Sequence, residues 1–299
     1  MNIYENFQVK DVIDSAPITS SIGAFDGIHL GHRALFTKAM QVSNKSFQIV
    51  TFNKIPKVFF NKNFLPLLDI QERISIFRET TASNLIFLDF ESVNDMTPLQ
   101  FCNFLKENLK TNKLVIGKDF KFGKERKGDI KTLLDFFGPE NIFLLEDYLI
   151  ESQKVSTTKI RDLYANGNIQ AAQKLLGRKI TFSGKVIKGK QLGSSIGIPT
   201  ANIKLPYETQ LPKYGVYAVN VHVNGIQYLG CLNIGINPTV DSDNVTKIEI
   251  HILHFDKNIY DHELTFELLD FIRDEQEFDS VENLKSQILK DISKIKKNF

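Results

Sequence analysis

Tryptophan is absent from this 299-residue chain, methionine occurs three times and cysteine only twice. Cys102 and Cys231 lie far apart and form no C-x-x-C pair. That excludes a cysteine zinc site and a disulfide framework, and it points to two small buried thiols in a reducing compartment. No apolar run reaches the ~18 residues of a membrane span. Residues Met1 to Ser20 carry Glu5, Lys10, Asp11 and Asp14 and lack an apolar stretch, so no signal peptide is expected and the cytoplasm is the expected compartment. An excess of one charge is also missing: 37 Lys and Arg face 35 Asp and Glu, for a net charge of +2. General nucleic-acid or membrane-surface binding needs a strong basic excess, so neither partner is expected. Small-molecule anion sites remain open. Internal repeats and low-complexity stretches are absent too. Phenylalanine is plentiful at 24 residues, which suits well-filled cores and names no ligand.

The length suggests two domains, at ~100–200 residues each. In the first 180 residues apolar runs alternate with helical stripes. Strands are expected at Ile18–Ile22, Phe47–Phe52, Leu85–Phe90, Leu114–Ile116 and Ile142–Leu145. Helices are expected near His32–Val42, Ile70–Glu79, Pro98–Leu109 and Ile130–Phe137. That rhythm reads as βαβ units on a parallel sheet, an α/β Rossmann-like domain that binds ligands beyond the carboxyl ends of its strands. A last helix, Thr158 to Leu176, is broken at Gly167 and capped by Gly177, where the boundary is expected: residues 1–177 and 178–299.

Beyond Gly177 the period changes to two. Ile180–Ile187, the stretch around Tyr217 to Val223, Ile226–Ile234, Lys247–Phe255 and Leu264–Phe271 read as strands, with Asn224-Gly225 as a two-residue type I′ hairpin turn. Antiparallel strands in such a short span suggest a small β-barrel. A final helix follows, with Asp279 as the expected cap and Glu282 three residues on.

Two constellations carry chemistry. Gly23-Ala-Phe-Asp-Gly-Ile-His-Leu-Gly-His32 follows a strand and opens a helix. Gly27 and Gly31 allow a tight turn and close approach of a ligand, and a helix N-terminus offers N–H groups to phosphate. His29 and His32 fall on one face of the first turn, where their imidazoles can donate to phosphate oxygens. No third metal ligand accompanies them. Later, Ser156-Thr-Thr-Lys-Ile-Arg161 opens another helix, bringing hydroxyls, N–H groups, Lys159 and Arg161 together. In the C-terminal half, Gly184 to Gln191 nearly spells a Walker A loop. It lacks the Ser or Thr after the lysine and a following helix, so that reading is rejected. Glu249 shares the polar face of its strand with Lys247 and His251.

The GAFDGIHLGH stretch resembles the ATP-binding signature of nucleotidyltransferases. Its extended form resembles the FMN adenylyltransferase module of the bacterial bifunctional riboflavin kinase/FAD synthetase family. Ile116-Gly-Lys-Asp-Phe-Lys-Phe-Gly123, Gly128-Asp129, Val155 to Arg161 and Leu175-Leu-Gly-Arg178 are similar to further family segments, in family order. Gly197-Ile-Pro-Thr-Ala-Asn-Ile203 resembles the G-F-P-T-A-N signature of riboflavin kinases, and Glu249 aligns with that family's catalytic glutamate. The resemblance implies phosphorylation of riboflavin to FMN by ATP in the barrel and adenylylation of FMN to FAD in the first domain, with Mg²⁺ as cofactor. It implies catalytic roles for Glu249, His29, His32 and Arg161. It further implies ATP contacts at Gly23, Phe25, Asp26, Gly27, His29, His32, Ser156, Thr157 and Arg161. Flavin or nucleotide contacts are implied at Asp119 and Phe120. Kinase ATP and Mg²⁺ binding is implied at Gly197, Pro199, Thr200 and Asn202, with Thr200 and Asn202 as the metal ligands.

The chain departs from the family pattern at Ile55, where a His is usual, and at Leu192-Gly-Ser194, where R-G-R is common, with Lys188 and Lys190 nearby. It departs again at Asn237 in place of Arg and at His254-Phe255 in place of Asp-Phe. The alternative is a single-activity FMN adenylyltransferase with a non-catalytic flavin-binding barrel. HxGH also marks class I aminoacyl-tRNA synthetases, but no KMSKS-like loop is present and the charge suits tRNA poorly.

Overall fold

The alternating runs of the first half assemble into a six-stranded, all-parallel sheet. The computed structural model describes all residues except 17, 44–45, 190–191 and 237–245, and only the backbone of 192 and 194. By its contacts the chain divides into two compact units, Met1–Thr157 and Thr158–Phe299.

The first unit contains β1 (Asn2–Phe7), β2 (Ile18–Ile22), α1 (Leu30–Val42), β3 (Phe47–Phe52), α2 (Pro56–Phe60), α3 (Ile70–Arg78) and β4 (Asn84–Leu88). It continues through α4 (Phe90–Val93), α5 (Pro98–Glu107), β5 (Thr111–Gly117), α6 (Ile130–Phe137), β6 (Ile142–Leu145) and a hairpin of β7 (Leu149–Ile150) and β8 (Gln153–Lys154). The sheet order is β1-β4-β3-β2-β5-β6. Successive β4 side chains serve opposite cores: Ile86 and Leu88 join Leu105 and Leu114, while Leu85 and Phe87 join Phe36 and Phe77. A sheet covered on both faces explains the apolar runs of β4 and of the second half of β5. The chain leaves β2 toward β3 on one side, and β5 lies on the other. The carboxyl ends of β2 and β5 therefore flank the switch point, where ligands of such sheets bind.

Two details differ from the sequence expectation. The fourth strand ends at Leu88, because Asp89 turns the chain into α4. An edge strand, β1, pairs with β4, although its mixed polar pattern carried no strand signal.

A row of polar side chains crosses five strands inside the sheet. Asn2 Nδ2 donates to Asn84 Oδ1 (3.1 Å), and Asn84 Nδ2 reaches Gln48 Oε1 (3.5 Å). Gln48 Nε2 donates to Ser20 Oγ and to the Leu109 carbonyl (both 2.8 Å), and the Ser20 and Thr111 hydroxyls share a bond of 2.7 Å. A buried network is costly when broken, since its members are left without partners. Gln48→Ala should lower the unfolding free energy of this unit by about 2–3 kcal/mol, measured in urea.

The second unit begins at Thr158, inside α7 (Thr157–Ala165), and continues with α8 (Ile169–Leu176), the two helices separated at Gly167 as the sequence indicated. Gly177, left-handed at φ 69°, ψ 19°, caps α8. The contact boundary precedes Gly177 because α8 packs on the barrel: Gln173 Nε2 donates to the Leu268 carbonyl at 3.1 Å. The remaining elements are β9 (Thr181–Ile187), α9 (Leu192–Ser195), β10 (Ala201–Lys204), β11 (Gly215–Val223), β12 (Ile226–Ile236), β13 (Thr246–Ile252), β14 (Glu263–Arg273) and α10 (Val281–Asn298). The six strands close an antiparallel barrel, β10-β13-β12-β11-β14-β9. Asn224 and Gly225 take φ 50° and 79° between Val223 and Ile226, the hairpin turn expected of that dipeptide. The cap of α10 is Ser280, not Asp279: its hydroxyl accepts from Asn283 N–H at 3.2 Å, so the first turn starts one residue later.

Candidate functional site

In the first unit the loop after β2 is tightly wound. Phe25, Gly27 and Ile28 all have positive φ, at 48°, 83° and 43°. Two of them are not glycine, and such strain persists only where the surroundings over-determine the backbone, as at ligand-holding loops. His29 is the N-cap of α1, and its Nδ1 accepts from His32 N–H at 3.3 Å. The two imidazoles stack with centroids 3.6 Å apart. His32 also meets the Phe25 ring edge-on at 5.2 Å. Phe25 itself is buried against Phe36 and Phe77, so it supports the histidines from the core. Asp26 is buried too, with Oδ1 accepting from Leu67 N–H at 2.8 Å. The second motif reaches this loop directly: Thr157 Oγ1 donates to the Asp26 carbonyl at 3.0 Å. Ser156 precedes Thr157, and Arg161 lies in the second unit with Nη1 toward Gln210 Oε1 at 3.5 Å.

Beside the loop opens a cleft of about 720 Å³. Gly23, Ala24, Phe52, Phe60, Phe64, Phe90, Phe120 and Phe122 line it, with Asp119 and Lys121 among its polar residues. Such a cleft suits a planar aromatic ligand with a polar end. Asp119 is tied to Lys154 (3.0 Å), which also holds Asp147 (2.7 Å), and Asp147 in turn binds Lys118 (3.0 Å). The hydrogen bonds to Asp147 and Asp119 raise the Lys154 pKa, and those from Lys154 and Lys118 lower that of Asp147. Ile55 is buried and stands outside the cleft lining, although its neighbour Pro56 belongs to it.

In the second unit, Ile248, Ile250 and Ile252 point into the barrel, leaving Lys247, Glu249 and His251 on its outer face. There they line a pocket of about 210 Å³ with Thr200, Cys231, Asn233 and, from α10, Leu284, Ile288 and Asp291. Register assembles it. Asn202 on β10 and Asn233 on β12 both pair with Glu249, so the three side chains form one row across three strands. Lys247 Nζ holds Glu249 Oε2 at 2.9 Å. His251 Nδ1 lies 2.7 Å from the Pro199 carbonyl, next to Thr200. A Cβ on Gly189 would stand 2.2 Å from Asn202 Nδ2, so a side chain there would displace the Asn202 amide. Gly197 turns the chain at φ 79° just before Pro199. The helix wall is fixed by Arg273, whose Nη2 and Nε bind the buried Asp291 carboxylate at 2.8 and 2.9 Å. Burial, with the nearby Asp291 charge, pushes the Cys231 thiol up to about 12, so it lines the pocket as a neutral group. Of the expected basic substitutes Lys190 lies outside the described residues, as do two of the departures from the family pattern, Asn237 and the Ser194 side chain.

Two residues escaped the sequence reading. His251 was seen only as a neighbour of Glu249. Arg73 carries no motif signal, and it rides with Ile70, Ile74 and Phe77 on the inward stripe of α3. A charged residue on an apolar stripe was the available signal.

The comparisons divide the chain in the same order as its motifs. A family model described as FAD synthetase matches residues 13–159, and one described as riboflavin kinase matches residues 176–299. A bifunctional riboflavin kinase/FMN adenylyltransferase of Listeria monocytogenes is 33% identical over 282 residues, covering 91% of this chain and 89% of the relative. One of Buchnera aphidicola is 34% identical, covering 93% of each, and that of Escherichia coli K12 is 32% identical, covering 91% and 89%. A solved structure described as a macrolide-efflux protein from Streptococcus pneumoniae is 30% identical with a TM-score of 0.90, covering 100% of both chains. Among the described residues here, no helix is long and apolar enough to cross a membrane. With both models matched in order and relatives similar over nearly their whole length, this chain belongs to the bifunctional riboflavin kinase/FMN adenylyltransferase family.

Proposed function

We propose that this chain makes FAD from riboflavin in two ATP-dependent steps, one in each half, with the functional join near Gly177. One observation supports the reading most: in each unit, motifs far apart in sequence meet. Thr157 bonds the Asp26 carbonyl, and Asn202 stands opposite Glu249.

In the barrel, Glu249 accepts the proton of the terminal ribityl hydroxyl as that oxygen attacks the γ-phosphorus of ATP, and ADP leaves. The donors around it fit Mg²⁺: a hydroxyl from Thr200, an amide oxygen from Asn202 and the Glu249 carboxylate are all hard oxygens. Thr200 and Asn202 would hold the ion, which when bound neutralises charge on the ATP phosphates. The apolar wall of Ile198, Leu284 and Ile288 receives the flavin ring.

In the first unit, an FMN phosphate oxygen attacks the α-phosphorus of a second ATP and pyrophosphate leaves. The phosphate is already anionic at neutral pH, so no general base is needed. His29, His32, Ser156 and the N–H groups at the start of α1 orient and stabilise the phosphates. Arg161 enters from its motif alone. The phenylalanine-lined cleft takes the flavin, with Asp119 and Phe120 at its edge. The cytoplasm, with its ATP supply, is the matching compartment.

Chromatography of FMN and FAD over time, with riboflavin, ATP and Mg²⁺ supplied, tests the whole. FAD made only from added FMN would leave the barrel without a reaction. His251 offers a finer test, since only an N–H on Nδ1 can bond the Pro199 carbonyl. His251→Asn places an amide N–H near that position and should keep the KM for ATP in FMN formation within about threefold. His251→Gln, whose amide reaches toward the Nε2 position, should raise it about tenfold, a loss of ~1.4 kcal/mol.

A further inference from the structure

Arg73 is a charged side chain buried to 3% exposure on the inward stripe of α3. Its guanidinium touches no carboxylate at ion-pair distance among the described contacts. Instead, Nη1 donates to the Phe52 carbonyl (2.8 Å), and Nη2 to Thr51 Oγ1 (2.5 Å) and the Ala24 carbonyl (3.3 Å). Thr51 Oγ1 itself donates to the Ala24 carbonyl at 3.2 Å. The Phe87 ring lies under the fork at 5.2 Å, and Nε meets no acceptor among the described residues. Burial lowers the pKa to about 10, offset in part by the charge of Asp26.

Burying a charge for stability alone is a poor solution, because a hydrophobic side chain of similar size often does as well or better. What the fork does here is geometric. It joins the end of β3 to the loop after β2, and those segments supply Gly23, Ala24 and Phe52 to the cleft. The rigid fork reaches these oxygens from two separate nitrogens, which the single ammonium nitrogen of a lysine does not reproduce. We infer that Arg73 is a positioning residue for adenylyl transfer, locking the phosphate-binding loop to the tip of β3 and setting a fixed positive charge beneath it. This rests on the reading of the first unit as the adenylylating half.

The test compares Arg73→Met and Arg73→Lys in the full chain. FAD formation from FMN, FMN formation from riboflavin and thermal unfolding are measured on each. The expected result is a split between stability and catalysis. Arg73→Met melts within a few degrees of the parent and keeps its riboflavin phosphorylation, yet its kcat for FAD formation falls by about 10–100-fold. Arg73→Lys, which restores the charge and part of the bonding, is faster than Arg73→Met without being more stable. If both variants keep kcat within twofold, or if their losses simply follow the fraction unfolded, Arg73 is a core residue and the inference fails. Should Arg73→Met not fold, the kcat of Arg73→Lys, assayed below its melting temperature, decides alone: parental kcat overturns the inference. A parent protein that makes no FAD from FMN would instead overturn the reading of the first unit.

Discussion

Glu249→Gln should reduce the formation of FMN from riboflavin by about 10²–10⁴-fold while leaving the conversion of supplied FMN to FAD unchanged. The substitution preserves size and hydrogen bonding and removes the ability to take a proton. The surroundings argue for a chemical effect, not a structural one. Glu249 sits on the outer face of β13, away from the isoleucine interior, so the barrel core does not depend on it. It is flanked by Asn202 and Asn233 in register and held by Lys247 at 2.9 Å. These neighbours fix where the carboxylate points. A base placed this way spares the attacking hydroxyl a protonated, weakly nucleophilic transition state. Time-resolved chromatography starting from riboflavin and, separately, from FMN checks both halves of the expectation. Loss of both reactions in folded protein would contradict two separate sites.

The elements around these sites differed in how openly the sequence announced them. Strands buried on both faces, such as β4, read clearly because Leu85 to Leu88 is a bounded apolar run. The Asn224-Gly225 turn and the Gly177 cap were equally legible, since both need positive φ that those residues accept cheaply. β1 was not, because an edge strand buries little and its pattern is set by its partner β4. The compact unit boundary at Thr157 was also hidden: it depends on α8 docking to β14, a contact far apart in sequence. The same divide runs through the sites. Motif residues could be named one by one, but not that register sets Asn202 opposite Glu249, nor that a histidine bonds Pro199. Phe25 shows the reverse case. It belongs to the motif, yet its burial makes it a support for His32.

His32→Ala should lower FAD formation from FMN by about 10²–10³-fold and leave FMN formation from riboflavin intact. On the proposed reading, the first turn of α1 gives the two histidines duties that can be separated. His29 Nδ1 accepts from His32 N–H, so a neutral His29 carries its proton on Nε2 and can donate from there. The stacked rings, 3.6 Å apart, hold each other in place, and Phe25 backs His32. Removing His32 takes away a donor and the platform that orients the other. His29 has a second duty as helix cap, worth about 1 kcal/mol, so His29→Ala would mix a structural loss with a catalytic one. His29→Asn avoids this. Asparagine is among the best N-caps, and its side-chain oxygen can take the place of Nδ1 as acceptor from the His32 N–H, but it has nothing at the position of Nε2. The expected result is an unfolding temperature within about 2 °C of the parent, as for a capping change near zero kcal/mol, with FAD formation still reduced about 10²-fold. Calorimetry and the FMN-to-FAD assay on the same preparation measure both. If His29→Asn kept full adenylylation, His29 would be a cap and nothing more, and the phosphate contact would fall to His32 and the helix N–H groups.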